Sequence, residues 1–152
     1  MLSNNNKVDI QYYLPHRAPM LMVDSLLELS DSEVKTVLEI RKDNIFVCYG
    51  VFAEVGLIEN AAQTCSAIVG KSFFLDENKE VKEGVKVIGF ISGIKKIKVY
   101  NIPNEGDFLH THSVLLSRFD NDNYSVCTMS SNIYVKDTLI FEAEMNLFIQ
   151  EN

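Results

Sequence analysis

Apolar and polar positions change rhythm several times along this chain. KVDIQYY (7–13) is a candidate short helix that ends before Pro15. MLMVDSLLEL (20–29) is dense in apolar residues, and the polar turn SDSE follows. EVKTVLEIRK (33–42) then sets Val34, Val37, Leu38 and Ile40 among charges, so the two segments read as a hairpin. From residue 53 to 69 the composition shifts to Ala, Leu, Ile, Glu and Gln, which favour helix, and Gly70 is a natural stop. A charged, loop-like stretch runs on to Gly84. Strand patterns follow at 85–100 (VKVIGFISGIKKIKVY), 107–119, 124–135 and 138–150, separated by the turns IPNEGD, DNDN and KD.

Strands and one long helix therefore segregate, which predicts an α+β fold with a mostly antiparallel sheet of five or six strands. The helix carries small residues at Gly56, Ala61, Ala62, Ser66 and Ala67. Such a helix lets a neighbouring backbone come close, and a curved sheet wrapped around it satisfies that. There is no internal repeat, low-complexity tract or linker, and 152 residues suit one domain, 1–152.

Composition narrows the function classes. Hydrophobic residues make up 47% and charged residues 23%, as in an ordinary globular protein. A formal charge of -7 argues against nucleic acid or anionic lipid as a partner. The start, MLSNNNKVD, lacks the pattern of a signal peptide, and no apolar run reaches the roughly 18 residues of a membrane helix. The cysteines (Cys48, Cys65 and Cys127) are odd in number and irregularly spaced, forming neither a disulfide framework nor a zinc site. A cytoplasmic protein with buried or inert thiols is the simplest reading.

Glu59 is the side chain that stands out, a carboxylate amid Ile58, Ala61 and Ala62. At helical spacing its neighbours are Val55, Gly56, Ala62, Gln63 and Ser66, which leave room for a cavity. It is either a pocket-facing carboxyl or a solvated one paired with Gln63. His16 lies between Pro15 and Pro19, in a restrained segment. It is either structural or a proton-transfer group. His110 and His112 share one strand face. A metal needs further ligands, none of which is near in sequence, so an exposed face is expected. Arg17 and KKIK (95–98) read as solvated, or as contacts for an acidic partner.

Three segments carry a family resemblance. LPHRAPMLMVD (14–24), GLIENAAQ (56–63) and FISGIKKIKVYNIPNEGDFL (90–109) occur in the order, and with the pattern, of the bacterial 3-hydroxyacyl-acyl-carrier-protein dehydratases. The chain resembles that family, and more closely its branch from aryl-polyene-type pathways. The resemblance implies a hotdog fold, a long central helix wrapped by a curved antiparallel sheet. It also implies dehydration of (3R)-3-hydroxyacyl thioesters on an acyl carrier protein. A His and a Glu from opposite subunits move the protons, with no cofactor and no metal. Glu59 falls on the family glutamate. An ungapped count puts Ile45 where the histidine of G-H-F-P belongs. The resemblance thus implies Glu59 as a catalytic residue, with His16 as the candidate substitute. Substrate contacts are implied at Gln63, Gly56, Phe90, Ile45 and Phe46. It implies a homodimer or higher homo-oligomer, or a heterodimer in which a His-bearing homologue completes the site. GFISGIKKIKVY is the candidate pairing edge. A hotdog thioesterase, in which a helix carboxylate acts without histidine, is the other open class.

Overall fold

The computed structural model of the chain describes residues 9–78, 80 and 82–151. A 3-10 turn, Ile10–Tyr12, opens them, and Asp9 caps it by accepting from the N–H of Gln11. The rest of the expected 7–13 helix, Lys7 and Val8, lies outside the described residues.

Six strands form one antiparallel sheet: β1 (Ser25–Leu29), β2 (Glu33–Glu39), β5 (Val87–Val99), β6 (Phe108–Asp120), β7 (Tyr124–Val135) and β8 (Thr138–Glu151). Their spatial order is β1-β2-β6-β7-β8-β5. A minimal hairpin, β3 (Val47–Cys48) with β4 (Val51–Phe52), precedes the helix. The β7–β8 turn places Lys136 and Asp137 at φ +48° and +64°, the primed geometry that suits the strand twist. β5 pairs only with β8 within the sheet, so its other side is an open edge.

The long helix α1 (Glu54–Phe74) lies across this sheet, giving the α+β hotdog arrangement. It runs one turn beyond the expected stop at Gly70, and packing explains the difference. A Cβ on Gly70 would run into the backbone carbonyl of Tyr13. Glycine there serves a close approach of the N-terminal segment, not a left-handed cap. Small residues bring the helix near the sheet, where Ala61, Cys65 and Ala67 are fully buried.

The interface between helix and sheet is partly polar, and every polar group is matched. Thr36 and Thr64 hydroxyls meet at 2.7 Å, Thr111 Oγ1 donates to Asn60 Oδ1 at 2.6 Å, and Ser113 and Ser131 meet at 2.8 Å. Burial pushes the thiol of Cys65, beside that serine pair, up to about 12, so it stays protonated. The expected first strand is shorter than its apolar run. Met20 to Asp24 form a loop, because α1 claims their backbone groups. Gln63 Oε1 accepts from the N–H of Met22 at 2.7 Å, and Asn60 Nδ2 donates to its carbonyl at 2.7 Å.

Candidate active site

Glu59 sits in the second turn of α1 and opens onto a cavity of about 200 Å³ between the helix and β5. His16, Gln63 and Ser66 line it on one side; Phe90, Ile91 and Leu147 line it on the other. The wall is therefore polar where the helix faces it and apolar where the sheet does, as an acyl thioester requires.

Gln63 fixes the polar side. It is 1% exposed. Its Nε2 donates to Glu59 Oε1 and to the carbonyl of Met20, both at 2.8 Å. Because its Oε1 is taken by Met22, the amide has one workable orientation. Glu59 Oε1 is thus always hydrogen-bonded, and Oε2 is the oxygen left to exchange a proton with a ligand.

His16 comes to the same cavity from the loop between Leu14 and Asp24. Arg17 shapes that loop: its guanidinium donates to the carbonyls of Leu14 (2.8 Å) and His16 (2.7 Å). The arginine is therefore a clasp on its own segment. His16 Nε2 lies 4.0 Å from Glu59 Oε1, with about a quarter of each side chain exposed. Nδ1 is buried and has no hydrogen-bond partner among the described residues. A proton on Nδ1 would be an unmatched buried donor, so the network favours neutral imidazole with its N–H on Nε2. Burial accordingly holds the His16 pKa below its ordinary value; Glu59 opposes that shift and Arg17 adds to it. The separation matters. A substrate carbon between an acid and a base needs on the order of 5–8 Å. At 4.0 Å His16 stands beside Glu59, not across from it.

The other sequence candidates are placed as follows. Phe90 borders the cavity only through its place on β5: its ring is on the outer face of the sheet, 53% exposed and stacked on its strand partner Phe148 at 5.0 Å, so Ile91 and Leu147 make the apolar wall. Gly56, Ile45 and Phe46 lie outside this cavity. A Cβ on Gly56 would come within 2.6 Å of the Phe52 ring and 2.9 Å of Phe46, so this glycine seats the helix start. Its N–H already donates to the Ala53 carbonyl at 2.9 Å. Ile45 is 46% exposed ahead of β3. His112 Nε2 is 3.1 Å from Glu33 Oε2 on the neighbouring strand, a partner that sequence distance concealed. No group of three or more His, Cys, Asp or Glu among the described residues is arranged to hold a metal. Sequence reasoning missed Gly89 and Leu147, which reach the site from distant strands. It also missed Asn60, which anchors the loop after His16.

The profile of a family described as "ApeP-like: ApeP dehydratase" matches residues 8–152. The chain belongs to that family. It is a hotdog-fold, dehydratase-like protein related to the bacterial acyl-carrier-protein dehydratases. One such relative is the 3-hydroxyacyl-[acyl-carrier-protein] dehydratase FabZ of Rickettsia typhi (strain ATCC VR-144 / Wilmington), 29% identical over 149 residues, with 94% of each chain covered. Among solved structures, the dehydratase heterocomplex ApeI:P from Xenorhabdus doucetiae is similar with a TM-score of 0.78 at 21% identity, covering 97% of this chain and 93% of that one. A hypothetical thioesterase from Streptococcus pneumoniae TIGR4, solved with coenzyme A, is similar with a TM-score of 0.57 at 16% identity, covering 84% and 85%. At such identities these structures speak for the fold alone. No helix among the described residues is long and apolar enough to cross a membrane.

Proposed function

We propose that this chain supplies the carboxyl half of a dehydratase site for (3R)-3-hydroxyacyl thioesters held on an acyl carrier protein. The observation that supports it best is Glu59, its Oε1 held by a buried glutamine, at a cavity whose far wall is apolar. Dehydration takes a proton from C2, forms the C2=C3 bond and breaks C3–O, and the hydroxide leaves with a proton as water. One group accepts the first proton and another delivers the second. Ile45, in the family's histidine position, can do neither. His16 is beside Glu59, so the opposing group is best supplied from a second subunit.

The open edge of β5 is where that subunit would pair. It is thirteen residues long and unpaired among the described residues, and Ile88 and Ile94 are exposed along it. Edges of that length are normally covered. A homologue carrying the G-H-F-P histidine, paired there, would give a heterodimer with one complete site; ApeI:P is a dehydratase heterocomplex in this fold. One observation favours a second reading, in which a homodimer works unaided: His16 Nε2 is 4.0 Å from Glu59 Oε1. A small shift would join the two through Nε2–H and let them share proton transfer from one side.

The test is product formation from a 3-hydroxyacyl carrier protein by the chain alone and mixed with its His-bearing homologue. The mixture is expected to give enoyl thioester, and Glu59→Gln to slow it by at least about a hundredfold. Enoyl product from the chain alone, lost in His16→Ala, would select the second reading. Free acid as the product would replace both with a thioesterase.

A further inference from the structure

Two voids lie end to end along α1. The first is the Glu59 cavity. The second is lined by Tyr13, Pro15, Phe74, Val87 and Ile149 and holds only about 10 Å³. His16, Ser66 and Gly89 line both, so these three residues stand at the junction. Helical rise places Ser66 about 10 Å, and Phe74 about 22 Å, from Glu59 along the axis. The second void thus continues the first towards the C-terminal end of α1, between that helix, the N-terminal segment and the start of β5, and it has room for about one water at most.

We propose that Tyr13 and Phe74 stopper this passage and that the chain therefore selects short acyl groups. The proposal rests on reading the Glu59 cavity as an acyl-thioester site. The walls beyond the junction are apolar, as a methylene chain needs, yet the space is closed. Two side chains close it from different parts of the chain. Tyr13 is pressed against α1, because Gly70 lets its backbone carbonyl sit directly on the helix. Phe74 reaches back over the same glycine, its Cδ2 3.6 Å from the place a Gly70 Cβ would take. Phe74 is half-buried and stands outside the buried core, so its ring is the removable part of the stopper.

Gly89 keeps the junction passable. It occupies an inward position on β5 between Val87 and Ile91. A Cβ there would meet only Ile149 Cγ1 at 3.5 Å and the Phe148 carbonyl at 3.8 Å, which are ordinary contacts. Alanine is thus accommodated by the fold, and its methyl enters the passage. Gly89→Ala narrows the route, and Phe74→Ala lengthens it.

The experiment is calorimetric binding of non-hydrolysable 3-hydroxyacyl-pantetheine amides, in a series from butanoyl to dodecanoyl. The protein is the full chain, alone and with its His-bearing homologue. While the acyl group fits, each added carbon should tighten binding by roughly fourfold. In the wild type the gain should stop within the short members of the series. In Phe74→Ala that break should move several carbons longer, with short-chain affinity unchanged; in Gly89→Ala it should move shorter. If Phe74→Ala fails to fold, Phe74→Leu should show a smaller shift in the same direction. A wild-type affinity that climbs through to dodecanoyl, or one break point in all variants, would overturn the stopper and leave the substrate reading standing. No binding of any member would overturn the substrate reading itself, and the stopper with it.

Discussion

Gln63→Leu is the substitution with the widest consequence, because one buried amide holds three groups. Leucine has nearly the same volume, so the cavity contribution is small and the polar losses dominate. The N–H of Met22, on a residue 1% exposed, loses its acceptor, at a cost of about 1–3 kcal/mol. The Met20 carbonyl belongs to a residue 44% exposed, so water replaces the amide there at little cost. Glu59 keeps partial access to solvent, and its lost bond adds no more than about 1 kcal/mol. The expected loss is about 1–4 kcal/mol, or roughly 2–15 °C in Tm for a chain of this size. Urea denaturation should show the midpoint fall with an unchanged slope. Thr128→Val is the control: it removes a single part-buried bond to Asn146 and should lose less than about 1 kcal/mol. A Gln63→Leu loss below about 0.5 kcal/mol would mean that the loop after His16 finds its own hydration and does not depend on the buried amide.

Two further outcomes follow from the geometry. Gly70→Ala should be severely destabilising, beyond about 3 kcal/mol, because the obstructing atom is backbone; Gly56→Ala should cost about 1–3 kcal/mol, since Phe52 and Phe46 are side chains with some freedom. Thermal denaturation of the pair would show the order, and equal losses would contradict it. Burial disfavours protonated His16, so below its ordinary value of 6.5 the unfolded chain binds that proton more readily. Stability should fall as pH drops through 6.5 towards the folded value, and the histidine contribution should be constant above 6.5. Paired denaturation curves of wild type and His16→Asn should differ in slope only in that acidic window; parallel curves there would refute it.

The strands at 85–100, 107–119, 124–135 and 138–150 were legible because each is rich in apolar and β-branched residues and is bounded by turn residues; the structure has them at Val87–Val99, Phe108–Asp120, Tyr124–Val135 and Thr138–Glu151. The helix was legible in its start and not in its end. Gly70 carries the signal of a stop, yet it is spent on contact with Tyr13, which no local pattern encodes. Residues 20–24 misled for a related reason: their apolar density matches a strand, while the hydrogen bonds that keep them out of one come from Asn60 and Gln63, about forty positions away. The meeting of Glu59, Gln63, His16 and Phe90 at one cavity was readable because the first two are one helical turn apart and the others lie in motifs. Gly89 and Leu147 sit in ordinary strand positions, and only the pairing of β5 with β8 brings them there. The two-residue strands β3 and β4 are too short to leave a periodic trace.

Strand order carries a consequence for synthesis. The helix is complete at Phe74, but apart from β1 and β2 the strands of its sheet come later, and β8 supplies buried Met145, Leu147 and Ile149 near the end of the chain. Between residues 74 and 147 a ribosome working at about 5–20 residues per second needs about 4–15 s. For that interval Leu57, Ile68 and Val69 lack most of the sheet they pack on, and Asn60 lacks Thr111, while Gln63 and Thr64 already have Met20, Met22 and Thr36. Helix-favouring residues alone hold an isolated helix only marginally in water, and most of its stability comes from packing. Until the meander of β6, β7 and β8 is made, the apolar side chains of α1 have only β2 and the N-terminal segment to pack on, and the rest of that face stays open to water.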